Sequence, residues 1–272
     1  MDGDNPEPAR VTRRAIPISP GWFAGLFSAR PLASILAAMA GIAWADPSPS
    51  LLDDRRIPKK SFSTTVEIRH SAKSAEPPVV SVFRSRSRIA EDGTISTLLL
   101  CTQPAKDAGK RVLLRGDGCW FFDPRAKRPT RISAGQVWSQ PTATDSLNWR
   151  LARDFTFAPA GRESIPCADG RTRACAVMDF TPKEKSLPAP ARMRYWADDE
   201  GRFWRVQHFT SSGKAAKTIE ILRYSNVLGA EHVTALRITS GPETAEVRIS
   251  DFAADSTPAG EFEPHRFYRT QP

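Results

Sequence analysis

From Phe62 onward the chain is written as short alternating segments, each closed by an explicit turn. Phe62, Thr64, Val66 and Ile68 share one face of a strand, and Ile95, Thr97, Leu99 and Cys101 share one face of another. Further segments fall at Val79–Ile89, Arg111–Arg115, Cys119–Asp123, Ala174–Thr181, Ala191–Ala197, Arg202–Thr210, Lys217–Val227, His232–Ser240 and Thr244–Phe252. Between them stand turn formers such as Gly116-Asp117-Gly118, Asp198-Asp199-Glu200-Gly201, Ser211-Ser212-Gly213-Lys214 and Gly241-Pro242-Glu243. Regular spacing of this kind predicts an all-β chain, with one curved antiparallel sheet or an incomplete β-barrel. One stretch breaks the rhythm. Residues 133–158 carry Trp138, Leu147, Trp149, Leu151, Phe155 and Phe157, and Leu147 and Leu151 sit four apart as on one helical face. A short helix over Ser146–Arg153 within a long connection is expected there, placed as a lid or binding loop.

The strands follow an N-terminal leader. Arg10, Arg13, Arg14 and Arg30 precede the apolar run from Leu32 to Ile42, and Ala43-Trp44-Ala45 supplies an A-x-A cleavage pattern. Residues 1–45 therefore read as a secretory signal peptide cleaved after Ala45, with Ala43 and Ala45 as the small residues of the site. The apolar stretch is about 14 residues, short of the ~20 of a bilayer span; the alternative is a retained anchor. Residues 46–61, rich in Pro, Ser and charge, read as a loose arm, and 62–272 as a single domain. Localisation in the periplasm follows from export.

Of 272 residues, 39 are Lys or Arg and 30 are Asp or Glu; without the leader the chain keeps 35 basic and 27 acidic residues, a net charge of +8. This charge is spread out and lacks a basic block interleaved with aromatics, so a nucleic-acid partner is not indicated. An anionic lipid surface or acidic protein suits it better. Export also sets the cysteine chemistry. Cys167 and Cys175 flank an Asp-Gly turn, so a disulfide between them is expected across a hairpin. Cys101 and Cys119 remain. In a simple meander they lie two strands apart, about 10 Å, so they are either a second bridge or buried free thiols. A four-cysteine zinc site has no C-x-x-C pair to support it.

No G-x-S-x-G, H-E-x-x-H, P-loop or G-x-G-x-x-G occurs, and His70, His208, His232 and His265 are far apart in sequence. No catalytic residue, metal or cofactor is indicated, so the expected function is binding and not catalysis. The aromatic residues point the same way: a curved sheet has a concave face that side chains, a lid or a ligand must fill.

Three groups of residues carry a family resemblance. The first is Gly116-Asp117-Gly118-Cys119-Trp120-Phe121-Phe122-Asp123-Pro124, followed by Arg128 and Arg131-Ile132-Ser133. The second is Asp145-Ser146-Leu147-Asn148-Trp149-Arg150-Leu151-Ala152-Arg153-Asp154-Phe155. The third comprises Arg194-Tyr195-Trp196, the Ser212-Gly213-Lys214 turn and Phe262-x-Pro264. In order and spacing these resemble the LolA-like outer-membrane lipoprotein-sorting proteins over about 65–267, although Leu147 and Trp149 replace the small residues usual in the insert. The resemblance implies a half-barrel around a helical lid and an apolar cavity that carries lipid or lipoprotein acyl chains across the periplasm. It implies membrane transporters of RND or ABC type as partners. An envelope-stress module that binds lipoproteins or an anti-sigma partner is the alternative. On this basis Trp120, Phe122, Trp138, Leu147, Trp149, Leu151, Phe155 and Trp196 are the expected cavity or lid residues.

Overall fold

A computed structural model describes residues 46–71, 78–116, 118–132, 149–184 and 189–269. The leader with Ala43 and Ala45, together with Trp138 and Leu147, lies outside the described residues.

The first meander runs β1 (Phe62–Ser71), β2 (Val79–Ile89), β3 (Ile95–Gln103), β4 (Arg111–Arg115), β5 (Gly118–Phe122) and β6 (Thr130–Ile132). A second meander runs β7 (Phe155–Pro166), β8 (Thr172–Pro182), β9 (Arg192–Ala197), β10 (Phe203–Phe209), β11 (Ala215–Val227), β12 (Ala230–Ser240) and β13 (Glu243–Ala254). These thirteen strands form one antiparallel sheet in the order β6-β5-β4-β3-β2-β1-β13-β12-β11-β10-β9-β8-β7, not closed into a barrel. The meanders join where β1 pairs with β13, with Phe62 opposite Ala254 and Val66 opposite Ile249. Consecutive strands are neighbours throughout each meander, as tight turns between alternating segments require.

Two elements around the insert depart from the sequence expectation. Phe155–Pro166, whose first residues were assigned to the irregular connection, is the edge strand β7, and nine consecutive residues of it, 156–164, are exposed. Pro159 and Gly161 (φ +98°) mark an irregularity in its pairing with β8. Proline and a bulge blunt an edge against further strand addition. The expected helix over 146–153 reduces, among the described residues, to the single turn α2 (Leu151–Asp154).

The expected loose arm is structured. Residues Pro49–Arg56 form helix α1, started by Ser48, whose hydroxyl accepts from the Leu51 amide at 3.2 Å, and by Pro49 in the first turn. Its Leu52 and the following Ile57 are fully buried, and Asp53 and Arg56 are buried with them. So charged a stretch can be buried because its polar groups satisfy one another: Arg56 Nη1 donates to Asp53 Oδ1 at 2.8 Å.

The disulfide between Cys167 and Cys175 is not formed; all four cysteines are free. The register explains this. Cys175 stands opposite Glu163, whereas the Cys167 amide donates to the Arg171 carbonyl, so the two thiols are four positions out of step across the hairpin. Cys101 and Cys119 are separated by β4 and are free.

Candidate functional site

The sheet buries apolar side chains on both faces. On one face, seven neighbouring strands from β2 through β1 and β13 to β9 present Ser85, Val66, Ile249, Leu236, Ile221, Val206 and Tyr195 to a common hollow. Helix α1 and the segment from Trp149 to Phe155 cover it. Leu52, Trp149, Leu151 and Phe155 belong to the same buried cluster as the strand residues. Trp149 meets Phe155 edge-on at 5.8 Å between ring centres.

The cover is pinned by one carboxylate. Asp53 Oδ1 accepts from the Leu151 amide at 2.9 Å, and Asp53 Oδ2 from the Ala152 amide at 3.1 Å. These are amides at the start of α2, which have no partner inside the helix. Arg56 reaches from α1 into the hollow, whose lining also includes the polar groups of Thr64, Ser85, Tyr195, His208 and His232.

The space left is about 80 Å³. A cavity of about 150 Å³ admits benzene, so no acyl chain fits the hollow as it stands. The resemblance implies an apolar cavity for acyl chains under a lid, and the hollow under this cover is smaller than such a chain. The hollow is lined mainly by apolar strand residues and is nearly filled.

Burial sets the charge state of the polar lining. It pushes His208 down to about 4, helped by the nearby Arg56 guanidinium, and His232 below its ordinary value. Lys217, directly opposite His208 on the neighbouring strand and buried, is pushed down to about 8. Desolvation disfavours each charged form.

Of the residues expected to line the cavity or lid, Trp149, Leu151 and Phe155 are brought together in the cover. Trp120, Phe122 and Trp196 are not in the hollow. Leu98, Leu113 and Trp120 form one row across β3, β4 and β5. Leu98 pairs with Arg86, one residue from the hollow-lining Ser85 and hence on the opposite face. There the stretch 259–268 packs on the sheet. Phe262 and Phe267 are buried against Leu98 and Leu113, with Trp120, Phe122 and Tyr268 beside them. Arg111 Nη1 donates to the Phe267 carbonyl at 2.9 Å, and Arg115 pairs with Glu263. Trp196 also faces away from the hollow, since its neighbour Tyr195 lines it; its Nε1 donates to Glu163 at 2.8 Å.

Alternation shows that β5 has an apolar face but not which one. A one-residue change of register exchanges the faces, and here Cys119 and Phe121 take the side opposite Trp120. Sequence reasoning also missed Asp53, Arg56, His208 and His232. Only for α1 was a signal present, in the Ser48-Pro49 start followed by Leu51 and Leu52.

This fold has known counterparts. A family model described as "Uncharacterized protein" matches residues 93–265. The chain belongs to that family and has a LolA-like fold. A LolA superfamily protein of Nitrosomonas europaea is similar with TM-score 0.68 and 22% identity, covering 80% of this chain and 98% of the other. A DUF1329 family protein of Desulfovibrio piger gives TM-score 0.66 at 18% identity, over 80% and 98% of the two chains. An outer membrane lipoprotein-sorting protein domain of Vibrio parahaemolyticus gives TM-score 0.63 at 18% identity, over 79% and 95%. No curated protein sequence matches. Among the described residues of this LolA-like chain, no helix is long and apolar enough to cross a membrane.

Proposed function

We propose that the chain is a periplasmic carrier that takes the acyl chains of a lipid or lipoprotein into the hollow and performs no catalysis. One observation carries this reading: among the described residues, the apolar face of seven adjacent strands is closed by two short elements and not by a second sheet, and Asp53 is their shared polar fastening. Burial of acyl chains contributes about 0.8 kcal/mol per methylene, enough for a long chain to offset displacement of the cover. The guest takes the place of Trp149 and α1 side chains, and the cover closes again on its release. A membrane transporter of RND or ABC type would give the transfer its direction through different affinities for the open and closed forms. The similar fold of the Vibrio domain, which is named for lipoprotein sorting, agrees with this reading.

The test is binding of a fluorescent palmitoyl probe to delipidated protein. Saturable binding is expected. A folded chain that binds no probe at any concentration below the probe's own micelle formation would refute the carrier reading.

A further inference from the structure

The hollow adjoins a second space. Pro58 and His232 line both the hollow and an outer groove of about 650 Å³, so these two side chains stand at the junction. The groove has a different chemistry. Arg55, Lys59 and Lys60 line it, together with the acids Asp54 and Glu231. The acids are engaged by neighbours. Asp54 pairs with Lys59 at 3.0 Å, and Glu231 is shared by Arg55 at 3.3 Å and Arg202 at 2.8 Å. Lys60 is exposed at the groove's lip. On the other lip is Leu228, an exposed leucine in the two-residue Leu228-Gly229 turn between β11 and β12, where both residues take positive φ as a tight hairpin requires.

His232 makes a demand at the junction. The residue is only 3% exposed, yet its Nδ1 has no hydrogen-bond partner among the described residues. The imidazole bonds the Arg55 backbone and burial keeps it neutral, so the unsatisfied Nδ1 is an acceptor awaiting a donor such as a hydroxyl. A buried polar atom left without a partner is unfavourable, and a ligand group at this position would relieve it.

Resting on the carrier reading, we propose that the groove is the head-group site: the guest is an acyl amphiphile with an anionic head, seated beside Lys59 and Lys60, whose chain passes Pro58 and His232 into the hollow. Carboxylate and phosphate heads share this chemistry. A glycerophosphate head also brings the hydroxyl that His232 lacks.

The experiment measures dissociation constants of the delipidated full chain for three probes with the same acyl chain: palmitate, palmitoyl-lysophosphatidylglycerol and neutral monopalmitoylglycerol. At least one anionic probe is expected to bind about tenfold more tightly than the neutral one, and the stronger of the two names the head. The Lys59→Gln/Lys60→Gln double variant should abolish that preference, and added salt should weaken it. Lys214→Gln, an exposed lysine in the β10–β11 turn, should keep it. Equal affinity for all three probes, or a preference that survives the double variant, overturns the head-group site while leaving the carrier reading intact. Absence of binding by every probe overturns both.

Discussion

The carboxylate of Asp53 holds the amide of Leu151 at 2.9 Å, joining two segments 98 residues apart in the chain. The same oxygen receives Arg56 at 2.8 Å, so a buried ion pair and a helix start share one acceptor. Removing the carboxylate strips Arg56 of this buried partner and leaves two amides without acceptors. Asp53→Ala should cost about 3 kcal/mol of stability. It should also loosen the cover, so exchange of the Leu151 and Ala152 amides speeds up more than that of amides in the sheet. Hydrogen exchange read by mass spectrometry checks this; uniform acceleration across the chain would mean that Asp53 serves stability alone.

Filling the hollow should block it. Ile221 is 1% exposed and lines the cavity. Ile221→Trp adds bulk close to what the hollow can hold, so the fold should survive with a loss of about 1–3 kcal/mol. Binding of the palmitoyl probe should fall at least tenfold. Unchanged affinity in a folded variant would place the guest elsewhere.

The outer face should be separable from the hollow. Phe267→Ala removes a fully buried ring from the cluster with Leu98 and Leu113, at a cost of about 3–5 kcal/mol in urea unfolding. Below its unfolding transition, this variant should bind the acyl probe as well as the parent chain does. A matched loss of affinity would show that the two faces are coupled.

Acid should destabilise the chain through His208. Its folded pKa of about 4 lies below the ordinary 6.5, so the unfolded state takes up the proton first. The stability is complete above about pH 6.5 and falls as pH drops toward 4, by about 3 kcal/mol across the window. Lys217 acts in the same direction in a higher window: its pKa near 8 is below 10.5, so its contribution is lost between about pH 10.5 and 8 and is already absent at neutrality. Urea midpoints at pH 7 and pH 4.5 should differ in the parent, and the difference should shrink in His208→Gln, with buried His232 and His70 leaving a smaller dependence of the same sign.

The thiols give a chemical check on register. Burial raises Cys119 to about 11 and Cys175 to about 12, and raises Cys101 as well. Cys167, half-buried where the other three thiols are buried, should be alkylated first at pH 8 because the reagent can reach it. Mass spectrometry of the native chain should show one early label. A bridge between Cys167 and Cys175 would instead leave both unlabelled.

What could be read from the sequence was what local chemistry decides. The segment Arg111–Arg115 is β4 residue for residue, and most other expected strands lie within two or three residues of those observed, because alternation and Gly or Asp turns act over short distances. The side to which Trp120 points was not legible. It depends on which cross-strand partner Leu113 finds, and on Phe262 and Phe267 arriving from the far end of the chain. Helix α1 was missed for the opposite reason. Its Asp53 and Arg56 are polar in isolation and buried only because each satisfies the other. At Gly118 the sequence indicates a turn, but a Cβ there would fall inside the Trp120 ring, so the glycine also makes room for that indole.

The pairing of β1 with β13 has a consequence for a chain that threads through a translocation channel, as the proposed export requires. Every other strand contact in the described sheet is between sequence neighbours and can zip up as residues emerge, whereas Phe62 must wait for Ala254. Each meander can start to form on its own, but the seam between them closes last, when almost the whole polypeptide is through. Until then the greasy side of both halves stays open to whatever chaperone or membrane lies at the exit.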